Sequence, residues 1–272
     1  MRDTAPALDD VDLERRFGGL RRLYGDAAYA RIRAAHVVVV GVGGVGSWTA
    51  EALARSGIGA LTLVDLDHVS ESNINRQVQA LGATLGQAKV EALRARIADI
   101  HPGCAVTAVD AFVEDGNWPG LLPERRPVDA VVDACDQGRA KAVLAAWALA
   151  PGAPPLVIVG AAGGKRAAQA VAVEDLGLLT HDPMLAALRQ RLRKHHGAAR
   201  TGRIGLACVY SREPVRGPLQ DAGAPTDSDG SLNCSGYGSS VAVTATFGMV
   251  AAGLALESLL AAQGRVGNSR QI

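Results

Sequence analysis

The chain is predicted to fold as an α/β domain, a Rossmann-like doubly wound sheet whose strands are mostly parallel. Three observations point there. An apolar run, HVVVVGVGGVGSW (36–48), enters a cluster of glycines. Apolar strand-like and helix-like segments alternate from there to about residue 160. The composition is rich in Gly and Ala but only 4% aromatic, which suits helices packed closely on a parallel sheet.

Residues 1–35 read as an N-terminal helical arm and 36–272 as a single domain. Within that domain, 36–41 is a buried strand, and VGSWTAEALARSG (45–57) is a helix closed by Gly57. ALTLVD (60–65) is the next strand, followed by a polar segment to about 84 and a helix over roughly 86–99. Strands are expected at 104–109, 128–134 and 155–160, with a helix at 138–150. After Gly160 the rhythm changes. RAAQAVAV and IGLACVYS, two short β-like runs, flank a basic helix, and a Gly/Pro/Asp-rich loop covers 213–231. Residues 161–272 are read as substrate-side extensions packed on the same domain, ending in a C-terminal helix.

No charged residue occurs from Ser231 to Leu256, a length that could cross a bilayer. Gly236, Gly238, Gly248 and Gly253 interrupt it, and a buried helix fits better than a stable membrane span. The start, MRDTAPALDDVDLERRFGG, has no apolar signal core, so a cytoplasmic location is expected. A net charge of +1 confines any nucleic-acid surface to a local patch. Cys104, Cys135, Cys208 and Cys234 form no CxxC pair, which excludes a four-cysteine zinc site of the usual spacing.

Gly41, Gly43 and Gly46 satisfy G-x-G-x-x-G between strand and helix, and Asp65 ends the next strand 19 residues past Gly46. Glycines let a backbone approach phosphate at a helix N-terminus, and the acid can hold ribose hydroxyls. Alone, this pattern favours a dinucleotide enzyme such as an NAD(P)-dependent oxidoreductase. DLDHVSESNINRQ (65–77) and GQAK (86–89) then add Asn73, Asn75, Arg76, Gln77 and Lys89 within one crossover. Hydride transfer has no use for a guanidinium and an ammonium there; ATP cleavage does, because charge builds on triphosphate oxygens. In VVDACDQGRAK (131–141), Asp133 and Asp136 fall at a strand end and are expected to face the same crevice. Asp136 suits a magnesium ligand or the N-cap of the following helix.

As an ordered set, GVGGVGSWTAEALARSGIG, LVDLDHVSESNINRQ, LGQAKVEA and DACDQ resemble the ubiquitin-activating-like adenylyltransferases, the ThiF family, which activate a carboxylate as its acyl-adenylate. The resemblance implies a nucleotide loop of Gly41, Gly43, Gly44 and Gly46, with Asp65 on the ribose and Asp67 and Gln77 in the same ATP site. Asn73, Arg76 and Lys89 become catalytic contacts to the triphosphate, and Asp136 the Mg2+ ligand. It also implies a homodimer in which Arg16 or Arg22 reaches the neighbour's ATP.

RRFGGLRRLYG (15–25), AAGGKR (161–166), HDPMLAALRQRLRK (181–194) and NCSGYGSSVAVTATFG (233–248) are similar to the branch of tRNA threonylcarbamoyladenosine dehydratases. There ATP activates the threonine carboxylate of a modified adenosine in tRNA, and a ureido nitrogen closes a ring. The same-fold alternative is activation of the C-terminus of a small sulfur-carrier protein. The branch also brings a monovalent cation and a cysteine-desulfurase system into consideration. Arg189, Arg191, Arg193 and Lys194, with no acid from Pro183 to Arg203, make a local positive patch suited to tRNA phosphates. Cys234 lies in a Gly/Ser-rich setting as a sulfur-relay thiol or simply a small residue beside the pocket; direct cyclisation needs no thiol.

Overall fold

The computed structural model describes residues 12–123, 126–217 and 237–261. Seven strands form one sheet: β1 (His36–Val40), β2 (Ala60–Val64), β3 (Ala105–Val109), β4 (Ala130–Asp133), β5 (Leu156–Val159), β6 (Val171–Asp175) and β7 (Ala207–Ser211). Their order is β3-β2-β1-β4-β5-β7-β6. Every pairing is parallel except that of β6 with β7 at one edge. The five strands expected before residue 160 are all present, each one to three residues shorter than the sequence suggested.

Register aligns the strand ends. Val40 of β1 lies beside Val64 of β2 on one side and Asp133 of β4 on the other. The chain runs outward from β1 to β2 and β3, then returns to β4 and continues the opposite way. Between β1 and β4 the order reverses, and a crevice opens at the carboxyl ends of the strands.

Both sheet faces are covered, which is why the central strands are continuous apolar runs. Val37 and Val39 pack with α3 (Gly46–Arg55), α4 (Lys89–Ile100) and α7 (Val241–Ala261). Val38 and Val40 point the other way, onto α5 (Gly138–Ala148) and α6 (Pro183–His195). The N-terminal arm is α1 (Leu13–Tyr24) and α2 (Asp26–Ala34), and Ile32 carries α2 into the main core.

The long apolar helix α7 passes a length-and-hydropathy test for a membrane span, yet half of its apolar window is buried in the protein. It lies against α3 at a crossing that Gly248 permits: a Cβ there would sit 2.7 Å from both the Val45 carbonyl oxygen and the Trp48 Cβ. Thr49 Oγ1 donates to the Gly248 carbonyl at 3.2 Å across the same contact.

Candidate active site

A cleft of about 630 Å³ occupies the β1–β4 crevice, and the nucleotide residues expected from sequence converge on it. Gly41, Gly43, Gly44, Asp65, Asp67, Asn73, Arg76, Gln77, Lys89 and Asp136 all line it. Gly46 stands just behind, as the first residue of α3.

The glycines serve two different ends. Gly41 has φ of +79°, and a Cβ there would meet the Cys135 backbone at 2.7 Å. At Gly46 a Cβ would lie 1.8 Å from the Gly41 carbonyl oxygen, so this turn closes only without side chains. Gly43 has only the Gln77 Nε2, 3.9 Å away, near its Cβ position, and Gly44 has ordinary or slightly tight side-chain contacts. Those two leave room on the cleft side, at the N-terminal end of a helix where amide N–H groups favour phosphate.

Asp65 is almost fully buried and accepts hydrogen bonds from Val42 N at 2.7 Å and Asp67 N at 2.9 Å. Burial raises its pKa, against the pull of the nearby Lys89 ammonium and the two backbone donors. Lys89 opens α4 with its Nζ 2.7 Å from Asp67 Oδ2 and its backbone N–H donating to the Asp67 carbonyl at 2.9 Å. Asp67 thus holds the buried ammonium at the cleft wall from a half-exposed position of its own.

Asn73 ends a single 3-10 turn, where its Oδ1 accepts from Ser70 N at 3.1 Å. Arg76 follows, donating from Nη1 to the Ser72 carbonyl at 2.7 Å and to Asn75 Oδ1 at 2.9 Å. Its own carbonyl accepts from Trp48 Nε1 at 3.0 Å and Thr244 Oγ1 at 3.3 Å. Gln79 Nε2 donates to the Val42 carbonyl at 2.8 Å, tying this segment to the glycine loop. Trp48, Gln79 and Thr244 were not singled out from sequence. The apolar composition of α3 and α7 gave no hint that Trp48 and Thr244 buttress an arginine backbone.

Two expectations about the β4 end need correction. Asp133 does not face the crevice. It is fully buried and pairs with Lys141 at 3.1 Å, so of these two carboxylates only Asp136 lines the cleft. Nor does Asp136 cap α5, whose N-cap is Gln137 without a side-chain bond. Among the described residues no group of three His, Cys, Asp or Glu could form an all-protein metal cage. One cleft carboxylate does fit magnesium, which keeps most of its ligands from phosphates and water. His68, Phe112, Met184 and Ser239 also line the cleft, none of them assigned from sequence. Buried His36 bridges the Pro127 carbonyl and Thr62 Oγ1 in a structural role.

The remaining candidates are placed as follows. Arg16 Nη1 donates to the Asp99 and Ile100 carbonyls at 2.8 and 2.7 Å, closing the C-terminus of α4 in its own subunit. Arg22 is exposed on α1. On α6, Leu185, Leu188 and Leu192 are buried. Arg189 Nη1 donates to the Leu176 and Leu179 carbonyls at 3.2 and 2.8 Å, and Arg193 Nε to the Ala199 carbonyl at 2.9 Å. Arg191 and Lys194, with His195, His196 and Gln190, instead border a shallow depression of about 470 Å³. Cys234 lies outside the described residues.

A family model described as the ThiF family matches residues 16–271. The chain is 42% identical over 260 residues to an Escherichia coli protein named tRNA threonylcarbamoyladenosine dehydratase, covering 93% of this chain and 96% of the relative. A Haemophilus influenzae protein of the same name is 38% identical over 250 residues, covering 91% and 94%. The solved structure of the E. coli tRNA N6-threonylcarbamoyladenosine dehydratase in complex with ATP superposes with a TM-score of 0.82 at 41% identity, over 93% of this chain and 96% of that one.

Proposed function

The chain belongs to the ThiF family, and on that premise we propose that it is an ATP-dependent dehydratase acting on N6-threonylcarbamoyladenosine in tRNA. The observation that carries the reading is the convergence of the glycine loop, Arg76, Lys89 and Asp136 on one cleft at the β1–β4 crevice. Hydroxide is a poor leaving group from a carboxylate, so the threonine carboxylate first attacks the α-phosphorus of ATP and expels pyrophosphate. The neighbouring ureido nitrogen then attacks the acyl carbon, AMP departs, and a ring closes with net loss of water. Nucleophile and electrophile share one molecule, so the second step gains a large proximity advantage and needs no enzyme thiol.

Each residue has a task in that scheme. Amides of the Gly41–Gly46 turn cradle phosphate, Asp65 holds the ribose hydroxyls, and Gln77 flanks the nucleotide. Asn73, Arg76 and Lys89 neutralise charge on the triphosphate oxygens, with Asp67 keeping Lys89 in place. Asp136 would hold Mg2+, which supplies charge neutralisation at the phosphates. We assign any contact to a partner subunit's nucleotide to Arg22, because Arg16 is engaged by the carbonyls of its own α4. The homodimer, the cysteine-desulfurase partner, the bound monovalent cation and the cytoplasmic location belong to the same reading.

The test is mass spectrometry of nucleosides from threonylcarbamoylated tRNA incubated with enzyme and ATP. A product lighter by one water, formed with stoichiometric AMP, is expected. Unchanged nucleoside alongside adenylation of a small sulfur-carrier protein would replace this reading with its same-fold alternative.

The tRNA surface is assigned to the outer face of α6. Since Arg189 and Arg193 hold backbone carbonyls, Arg191 and Lys194 are the informative pair. Replacing both by Gln should weaken tRNA binding and flatten the dependence of log affinity on log salt by about 1.5, for two lost phosphate contacts. ATP affinity should not change, since neither Arg191 nor Lys194 lines the cleft that holds the nucleotide. A wild-type salt slope in the double variant would make this helix an ordinary solvated face.

A further inference from the structure

Lys141 lies in the first turn of α5 with no solvent exposure, the largest of the fully buried side chains among the described residues. That is an unfavourable place for an ammonium, since the helix N-terminus carries partial positive charge and burial strips the ion of water. Its surroundings compensate both effects. Nζ donates to the Val159 carbonyl at 2.7 Å, reaches the Asp133 carbonyl at 3.5 Å, and pairs with Asp133 Oδ1 at 3.1 Å. Burial pulls its pKa down, but the charge and hydrogen bond of Asp133, with the nearby Cys135 and Cys208, together hold it above the ordinary lysine value.

These partners lie at the ends of two strands. Val159 ends β5, and Gly160 to Gly163 after it line one end of the cleft. Asp133 ends β4, and Ala134 to Gln137 after it line the nucleotide side. Asp133 Oδ1 also accepts from Cys135 N at 3.2 Å and from the Cys135 thiol at 2.9 Å, which fixes the turn carrying Asp136. Its Oδ2 has no hydrogen-bond partner among the described residues, so Lys141 is its one ionic counterpart there.

We propose that Lys141 is a positioning residue for the cleft: it pins the ends of β4 and β5 together and, through Asp133, sets the turn that presents Asp136. Two apolar side chains would fill the same volume at similar or better stability, so packing alone does not explain a lysine here. The proposal rests on the adenylating reading for its catalytic consequence, but not for the clamp itself.

The test compares Lys141→Met with the charge-neutral double variant Asp133→Asn/Lys141→Met, each at a temperature where circular dichroism shows it folded. Lys141→Met leaves a buried carboxylate unpaired and should lower Tm; the double variant should recover most of that loss. Despite its recovered stability, the double variant should need at least threefold more Mg2+ for half-maximal ATP–pyrophosphate exchange and run at least tenfold slower. Amides of 134–137 and 160–163 should exchange with deuterium at least tenfold faster, while the β4 and β5 amides remain protected. A double variant with wild-type magnesium titration and wild-type exchange in both segments would overturn the proposal. Wild-type protein without any pyrophosphate exchange would refute adenylation instead, and the deuterium measurement would still decide the clamp.

Discussion

Lys89→Ala should reduce turnover by roughly a hundredfold or more while leaving the protein folded. Preorganised charge at a phosphoryl centre is typically worth about 3 kcal/mol, because the site is drier than water and the charge is already in place. Lys89 meets both conditions, being nearly buried and held by Asp67 at 2.7 Å. Folding should survive because the partner left behind, Asp67, is more than half exposed and can be solvated. ATP affinity should fall much less than turnover, since the contact strengthens as charge shifts during phosphoryl attack. Single-turnover rates and equilibrium ATP binding separate the two. Turnover near wild type would remove Lys89 from the catalytic group.

Two substitutions in one loop should fail in opposite ways. Gly46→Ala places a methyl 1.8 Å from the Gly41 carbonyl oxygen, in a turn already fixed by the positive φ of Gly41. No rotamer relieves a backbone overlap, so the loss should reach about 3 kcal/mol or more, lowering Tm by roughly 6–12 °C in a chain of this size. Gly43→Ala meets nothing closer than 3.9 Å and has no positive φ. Its methyl should leave Tm within about 1–2 °C but weaken ATP binding tenfold or more, by holding phosphate away from the loop amides. Thermal melts and ATP titrations on both variants check this. Normal ATP affinity in Gly43→Ala would move the phosphates elsewhere.

Local chemistry made the sheet and half of the site legible. A buried strand, glycines that tolerate close approach, and an acid at the next strand end are contiguous signals, and the structure brings Gly41 to Asp65 together as they imply. Asn73, Arg76 and Lys89 follow within one crossover, so their convergence was also readable. Local pattern alone sent both Asp133 and Asp136 to the crevice, and only the family resemblance favoured Asp136. What buries Asp133 is a lysine one helical turn into α5 that reaches back to the strand end. Arg189 looks like Arg191 in the sequence, yet the carbonyls that engage it come from the turn after β6. Thr244 meets the Arg76 carbonyl across 168 residues of chain, a pairing that no periodicity encodes.

The position of α7 fixes an order of assembly. It is the last described helix, yet it covers α3 and the centre of the sheet and touches the nucleotide loop through Thr244 beside Gly44. During synthesis, Leu53 of α3, Val132 of β4 and Val157 of β5 therefore lack part of their cover until residues beyond 241 have emerged from the ribosome. A parallel sheet with part of one face uncovered is a sticky intermediate. A nascent chain at that stage also lacks the threonine that steadies the Arg76 carbonyl, so the cleft takes its full form only when α7 docks.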